Sequence, residues 1–173
     1  MSKEIAYSEG ISGINMRKIA SQCELSLGTI YNYYTTKVDI IFDIIEDLWN
    51  ECFSEIDKIY NSKEGFFKQT EFLYFHTLQY LKQFENNWIK DLIVLTSNDK
   101  EKAKEREDEL IEKFTKILKH LIEINKNDLN KDVFNKFSED KILEFISYEL
   151  FIMLKRLDND YSFFDYTLKK ILL

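Results

Sequence analysis

The sequence predicts an all-α protein that opens on three short helical segments. Three observations lead there. The chain of 173 residues contains no proline and four glycines, so the strongest helix breakers are almost missing. Apolar residues recur at three-and-four spacing through most of its length, which is the period of one helix face. At 45% hydrophobic and 15% aromatic residues, a 20.9 kDa chain has material for one core, or for a small head and a larger body.

The head is built from three short segments. Met1 to Glu9 is expected as the first helix, with Ile5 and Ala6 or Tyr7 turned inward, and Gly10 ends it. Gly10 to Ile14 is a turn, and Ile14 feeds the core. Asn15 can cap the next helix, because its side-chain oxygen accepts a first-turn amide proton. Met16, Ile19, Ala20 and Cys23 then follow at helical spacing. Glu24-Leu25-Ser26 interrupts the pattern, and Ser26 caps a second helix with Leu25, Ile30 and Tyr34 inward. Thr36 caps the following helix, with Asp39 in the capping-box position. Two helices of about two turns each, crossed through a tight turn, make a helix-turn-helix arrangement. The outward face of the second would carry Leu27, Gly28, Thr29, Tyr31, Asn32 and Tyr33. Hydroxyls, an amide and aromatic rings suit hydrogen bonds to phosphates and base edges.

The run Arg17-Lys18-Ile19-Ala20, then Leu25-Ser26-Leu27-Gly28-Thr29-Ile30-Tyr31-Asn32-Tyr33-Tyr34, then Thr36-Lys37, resembles the DNA-binding head of the TetR family of transcriptional regulators. The family's pattern there is a basic-hydrophobic-Ala step, a Val-Ser-x-Gly-Thr-Leu-Tyr-x-Tyr-Phe recognition helix and a Ser-Lys opening to the next helix. The likeness is confined to the first part of the chain. One departure is Glu24, where many members carry glycine; a positive φ there would strain glutamate by about 1 kcal/mol. The resemblance implies a homodimeric repressor that reads palindromic double-stranded DNA and is released by a small-molecule effector. It implies DNA contacts from Asn15, Met16, Arg17, Leu27, Gly28, Thr29, Tyr31, Asn32, Tyr33 and Lys37. Asn32 is the best candidate for a bidentate contact to adenine, and Lys37 for a phosphate.

The domain boundary is expected near Ile45, giving a DNA-binding domain over 1–45 and a ligand-binding and dimerisation domain over 46–173. A long helix from Lys37 to about Tyr60 carries a stripe from Ile40 to Ile59. After Asn61-Ser62-Lys63-Glu64-Gly65 comes a ring-rich helix, Phe66 to Glu85. Asn86 and Asn87 turn the chain, Trp88 to Leu95 is a short apolar helix, and Thr96-Ser97-Asn98 caps a helix from Asp99 to about Asn125. The first two turns of that helix are charges of alternating sign, read as a solvated face. Lys131 to Phe137 leads into a helix that starts at Ser138 and ends near Leu157; Tyr161 to Leu173 is the last. The helix after Ser138 is apolar over more than half its girth and needs two partners, so these final helices are expected to pair with their copies in a four-helix dimer interface. A small, largely apolar or aromatic effector is expected between the helices carrying Phe72, Phe75, His76, Trp88 and Phe114.

Charge is divided unevenly. Residues 1–37 hold four basic against three acidic residues, while the remainder holds 20 basic against 28 acidic, within a net charge of −7. This assigns any nucleic-acid role to the head, though a head of +1 is only weakly basic. Cys23 and Cys52 fall on apolar faces and read as small buried hydrophobes. No catalytic residue, cofactor or metal site is expected. His76 and His120 lack a glutamate three residues before them, and no Cys-x-x-Cys, His-Glu-x-x-His, phosphate loop or Gly-x-Ser-x-Gly occurs. Without a signal peptide or an apolar run of membrane-spanning length, a cytoplasmic protein with no membrane partner is expected. The competing reading is an all-α small-molecule-binding or scaffolding protein that has lost DNA binding.

Overall fold

The computed structural model of the chain describes residues 2–10, 13–82 and 100–173. Among them the regular structure is all helical: α1 (Ser2–Glu9), α2 (Met16–Gln22), α3 (Leu27–Tyr33), α4 (Lys37–Cys52), α5 (Ile56–Tyr60), α6 (Phe66–Lys82), α7 (Lys100–Ile124), α8 (Lys131–Lys136), α9 (Glu139–Lys155) and α10 (Ser162–Leu172). The expected turn at Asn86 and Asn87, the helix from Trp88 to Leu95 and the cap at Thr96 to Asn98 lie outside the described residues. No described helix is long and apolar enough to cross a membrane. Two compact units divide the described residues: those up to 53 group with 100–106, and 54–82 with 107–173.

The local chemistry of the first unit sets its helix ends. Asn15 is extended (φ −149°) and its Oδ1 accepts the Lys18 amide at 2.8 Å. Ser26 does the same for Thr29 at 3.0 Å. Thr36 and Asp39 complete a reciprocal capping box, Asp39 Oδ2 accepting the Thr36 amide at 2.7 Å. Such caps contribute about 1 kcal/mol each. Gly10, at φ 74°, ends α1 in the left-handed region. Gly13 answers a different need, since a Cβ there would sit 2.6 Å from Glu9 Cβ. Glu24 adopts φ 55°, the left-handed turn conformation in which a side chain is strained.

In this unit α1 packs on α4 and α2 on α3. Ile5, Ala6, Ile14, Met16, Ile19, Ala20 and Ile30 are buried. Two ion pairs hold α1 down: Lys3 to Glu51 at 2.9 Å, and Lys18 to Glu9. Three expectations need correction. Leu25 is 46% exposed, because its amide closes the end of α2 on the Ala20 carbonyl at 2.9 Å and the chain is not yet helical. Cys23 is only half-buried for the same reason, as it terminates α2. The helix expected from Lys37 to Tyr60 stops at Cys52 and restarts at Ile56. Ile56 and Ile59 keep the spacing of the earlier stripe, so periodicity alone does not register the intervening turn.

The second unit is organised on α6, which packs against α5, α9 and α10. Its buried face runs Phe66, Gln69, Thr70, Leu73, Tyr74, Thr77, Leu78, so three of seven positions are polar. Their demands are met inside the fold. Thr70 and Thr77 donate to the carbonyls one turn back, each at 2.8 Å. Gln69 Nε2 donates to the Ile59 carbonyl at 3.1 Å, and its Oε1 accepts from Asn125 at 2.7 Å. Tyr74 donates to the Asp158 carbonyl at 2.6 Å and joins Phe75, Tyr161 and Phe164 in one ring cluster. Phe114, Leu118, Leu121 and Ile122 of α7 are fully or almost fully buried. Asn130 donates to the Leu172 carbonyl at 2.8 Å, fixing the chain end. Most of the apolar residues of α9 are consumed within the chain, but Phe145, Tyr148 and Ile152 remain 40%, 44% and 38% exposed.

Candidate nucleic-acid interface

Short helices with strong caps leave α3 with one clear outer face. Ile30 is its buried residue, at 4% exposure. Tyr31 is 53% and Tyr33 79% exposed; Gly28 and Asn32 are exposed, and Leu27 and Thr29 half-buried. A Cβ on Gly28 would meet only Ser26 Oγ, at 3.7 Å, so this position is open to close approach from outside. Thr29 Oγ1 lies 2.8 Å from Ser26 Oγ, which orients its hydroxyl at the N-terminal end of α3.

Five of the expected DNA-contacting residues meet at one groove. Asn15, Met16, Arg17, Tyr31 and Lys37, with Thr35 and Thr36, line an open hollow of about 560 Å³. Met16 is buried, so its side chain belongs to the core as much as to the groove. The others present a guanidinium, an ammonium, a phenol, hydroxyls and an amide. Each can donate to a phosphate oxygen, and Arg17 can do so through two parallel N–H groups. Asn15 spends its oxygen on capping α2, which leaves its NH₂ as the donor. The Asp39 carboxylate sits in the first turn of α4 and offsets part of the positive field there. The sequence reading missed Thr35 and Thr36 as members of this groove; Thr36 had been assigned only a capping role.

The reading also missed what holds α3 in place. Tyr34, the residue that ends α3, donates its hydroxyl to Asp43 Oδ2 of α4 at 2.8 Å. The hydrogen bond to Asp43, then burial, then the negative charges of Asp43 and Asp47 push the Tyr34 phenol up to about 12. The phenol therefore keeps the proton it donates well into the alkaline range. A phenol and a carboxylate nine residues apart carry no periodic signal that could have paired them.

The five residues expected around an effector are not brought together in the same way. Phe72 and Phe75 share a groove with Ile59 in the second unit, and His76 stacks on Phe72 with centroids 6.1 Å apart. Phe114 has no exposed surface and is part of the core. Trp88 lies outside the described residues. His120 tilts against Tyr60, with ring centroids 4.2 Å apart. Among the described residues no group of three His, Cys, Asp or Glu side chains could hold a metal ion.

No protein-family model, curated protein or solved structure matches the chain.

Proposed function

We propose that this chain is a TetR-type DNA-binding transcriptional regulator, a homodimeric repressor released from a palindromic operator by a small, largely apolar or aromatic effector. The observation that carries the reading is the outer face of α3. Tyr31, Asn32 and Tyr33 stand exposed on a helix held by Ser26 at one end and by Tyr34–Asp43 at the other. A helix-turn-helix made of α2 and α3 would lay that face in a major groove. Arg17, Tyr31 and Lys37 would meet phosphates, Asn32 and Tyr33 would read base edges, and Gly28 would admit the backbone closely.

The dimer is supported by α9 and α10. Phe145, Tyr148 and Ile152 recur at three-and-four spacing on α9, and Phe163 and Tyr166 on α10 are 78% and 61% exposed. Exposed apolar surface of this kind marks an interaction site. In a pair, two heads about 34–36 Å apart would enter successive major grooves. An effector that binds one head spacing better than another would shift the population off the DNA.

One observation favours the alternative, an all-α small-molecule-binding or scaffolding protein without DNA affinity. Lys3 and Lys18, two of the four cations of the head, are already paired with Glu51 and Glu9. A shift assay with genomic fragments at several salt concentrations separates the two. The regulator selects particular fragments, with log affinity falling linearly as log salt rises. A chain that shifts no fragment at the lowest salt, or all fragments equally, is not this regulator.

A further inference from the structure

We propose that the groove between α5 and α6 is a binding site for an uncharged, flat aromatic molecule of two or three rings. This deepens the effector part of the function proposed above and rests on that reading. The groove encloses about 330 Å³ between Ile59, Phe72 and Phe75. Ligand sites span roughly 300–1,000 Å³, so this one takes a small ligand. Phe72 is 57% exposed although its ring is already held in parallel stacking with His76 at 6.1 Å and 10°. An exposed ring with one parallel neighbour gains by stacking on a further aromatic.

Hydrogen bonding and charge narrow the class. Gln69 is the buried polar side chain of the lining, at 2% exposure, and both ends of its amide are used by the protein. Its Nε2 donates to the Ile59 carbonyl and to Ser62, and its Oε1 accepts from Asn125. The buried part of the lining therefore asks no hydrogen bond of an occupant, and a polar group placed against it would surrender its own to water. At the rim, Lys68 pairs with Glu71 and Lys58 with Glu55, each at 2.6 Å, and Glu64 adds a further carboxylate to the lining. An anion entering here would be desolvated against cations already satisfied by nearer carboxylates. The groove complements a neutral ring system.

The test titrates the full chain with N-phenyl-1-naphthylamine, a neutral probe that fluoresces in apolar surroundings, and in parallel with its sulfonate, 8-anilino-1-naphthalenesulfonate. The expected result is saturable binding of one neutral probe per chain, about tenfold tighter than the sulfonate. Phe72→Gln, at an exposed position whose folding circular dichroism verifies, weakens it about tenfold, the worth of one good aromatic contact. Phe137→Gln, at an exposed position just past α8, leaves it unchanged. Unsaturable binding, equal affinity for the sulfonate, or a loss shared by both variants overturns the site. Duplex binding measured on the same samples keeps the two readings apart. A chain that binds DNA but no probe loses the groove alone, whereas one that binds the probe but no DNA loses the regulator reading alone.

Discussion

The two units of this chain treat their polar groups in opposite ways. Every buried polar residue among those described, Gln69, Thr70, Thr77, Asn125 and Ser147, belongs to the second unit. Each is bonded inside the fold, Ser147 through Thr115 at 2.8 Å. Among its described residues the first unit keeps polar side chains out of its core and buries apolar ones. Asn15, Ser26 and Thr36 cap helices, and Asn32 and Thr35 face solvent. A unit that saturates its buried polar groups inward leaves a groove with an apolar floor to offer a ligand. One that turns them outward has a face able to recognise something polar and charged. Two tyrosines show the same division. Tyr34 is held neutral chiefly by its hydrogen bond to an exposed carboxylate, whereas Tyr74 is pushed up to about 12 chiefly by burial.

The largest expected effect breaks the second unit alone. Phe114 has no exposed surface, so Phe114→Ala should cost about 3–5 kcal/mol in denaturant unfolding, the range for emptying a buried aromatic site. A loss under 1 kcal/mol would mean that the site is not packed as described. Next comes the proposed recognition face. Asn32→Ala should cost about 1–3 kcal/mol of operator affinity and relax the preference at one base pair. Arg17→Ala should weaken all sequences alike and lower the salt slope by about one. Both should leave the unfolding curve in place, since both side chains are exposed.

Removing a cap sharpens the contrast from the stability side. Asn15→Ala or Ser26→Ala should cost about 1 kcal/mol in the first unit, read as faster amide exchange in α2 or α3 with α6 unchanged. The pH dependence follows from the tyrosines. A phenol whose proton is held more tightly in the folded chain contributes stability that is complete below pH 10. That contribution is lost as the pH rises from there towards about 12, where the folded phenols themselves ionise. In chemical-shift titrations of labelled tyrosine, Asp43→Asn should lower the Tyr34 midpoint and leave Tyr74 where it is. Movement of both would show that the two units are not independent in this respect.

The smallest effect is the one exception to the second unit's rule. The Tyr161 hydroxyl is buried without a hydrogen-bond partner among the described residues, and burial pushes its ionisation well above the ordinary tyrosine range. Tyr161→Phe removes that hydroxyl while keeping the ring against Tyr74 and Phe164. It should be neutral or stabilising by up to about 1 kcal/mol; a clear loss of stability would show that the hydroxyl is satisfied.

What could be read from the sequence was what acts locally. Asn15, Ser26, Thr36 and Asp39 announced their helix ends because a cap needs only a side chain and an amide three residues on. The cap at Ser138 was legible for the same reason, and the helix expected from Asp99 to about Asn125 is described over Lys100–Ile124. What failed depended on choices made in space. In α6 the rings occupy several faces, and the buried one holds Gln69, Thr70 and Thr77, while Phe72 is left out. A count of aromatics cannot show that Phe114 is core and Phe72 is surface. The candidate site was half legible. Its residues were named one by one, but their meeting with Thr35 and Thr36 at one groove, and the Tyr34–Asp43 bond, required coordinates.

The central claim is that the outer face of α3 reads DNA, twice over, in a symmetric pair. Selection of the full chain against a pool of random duplexes tests it most directly. The account predicts enrichment of an inverted repeat whose half-site centres lie about one helical turn, 10–10.5 base pairs, apart, with Asn32→Ala enriching a sequence relaxed at one position of each half-site. A pool that emerges no different from the one that went in, or an enriched sequence that Asn32→Ala and Tyr31→Ala leave wholly unchanged, would contradict it.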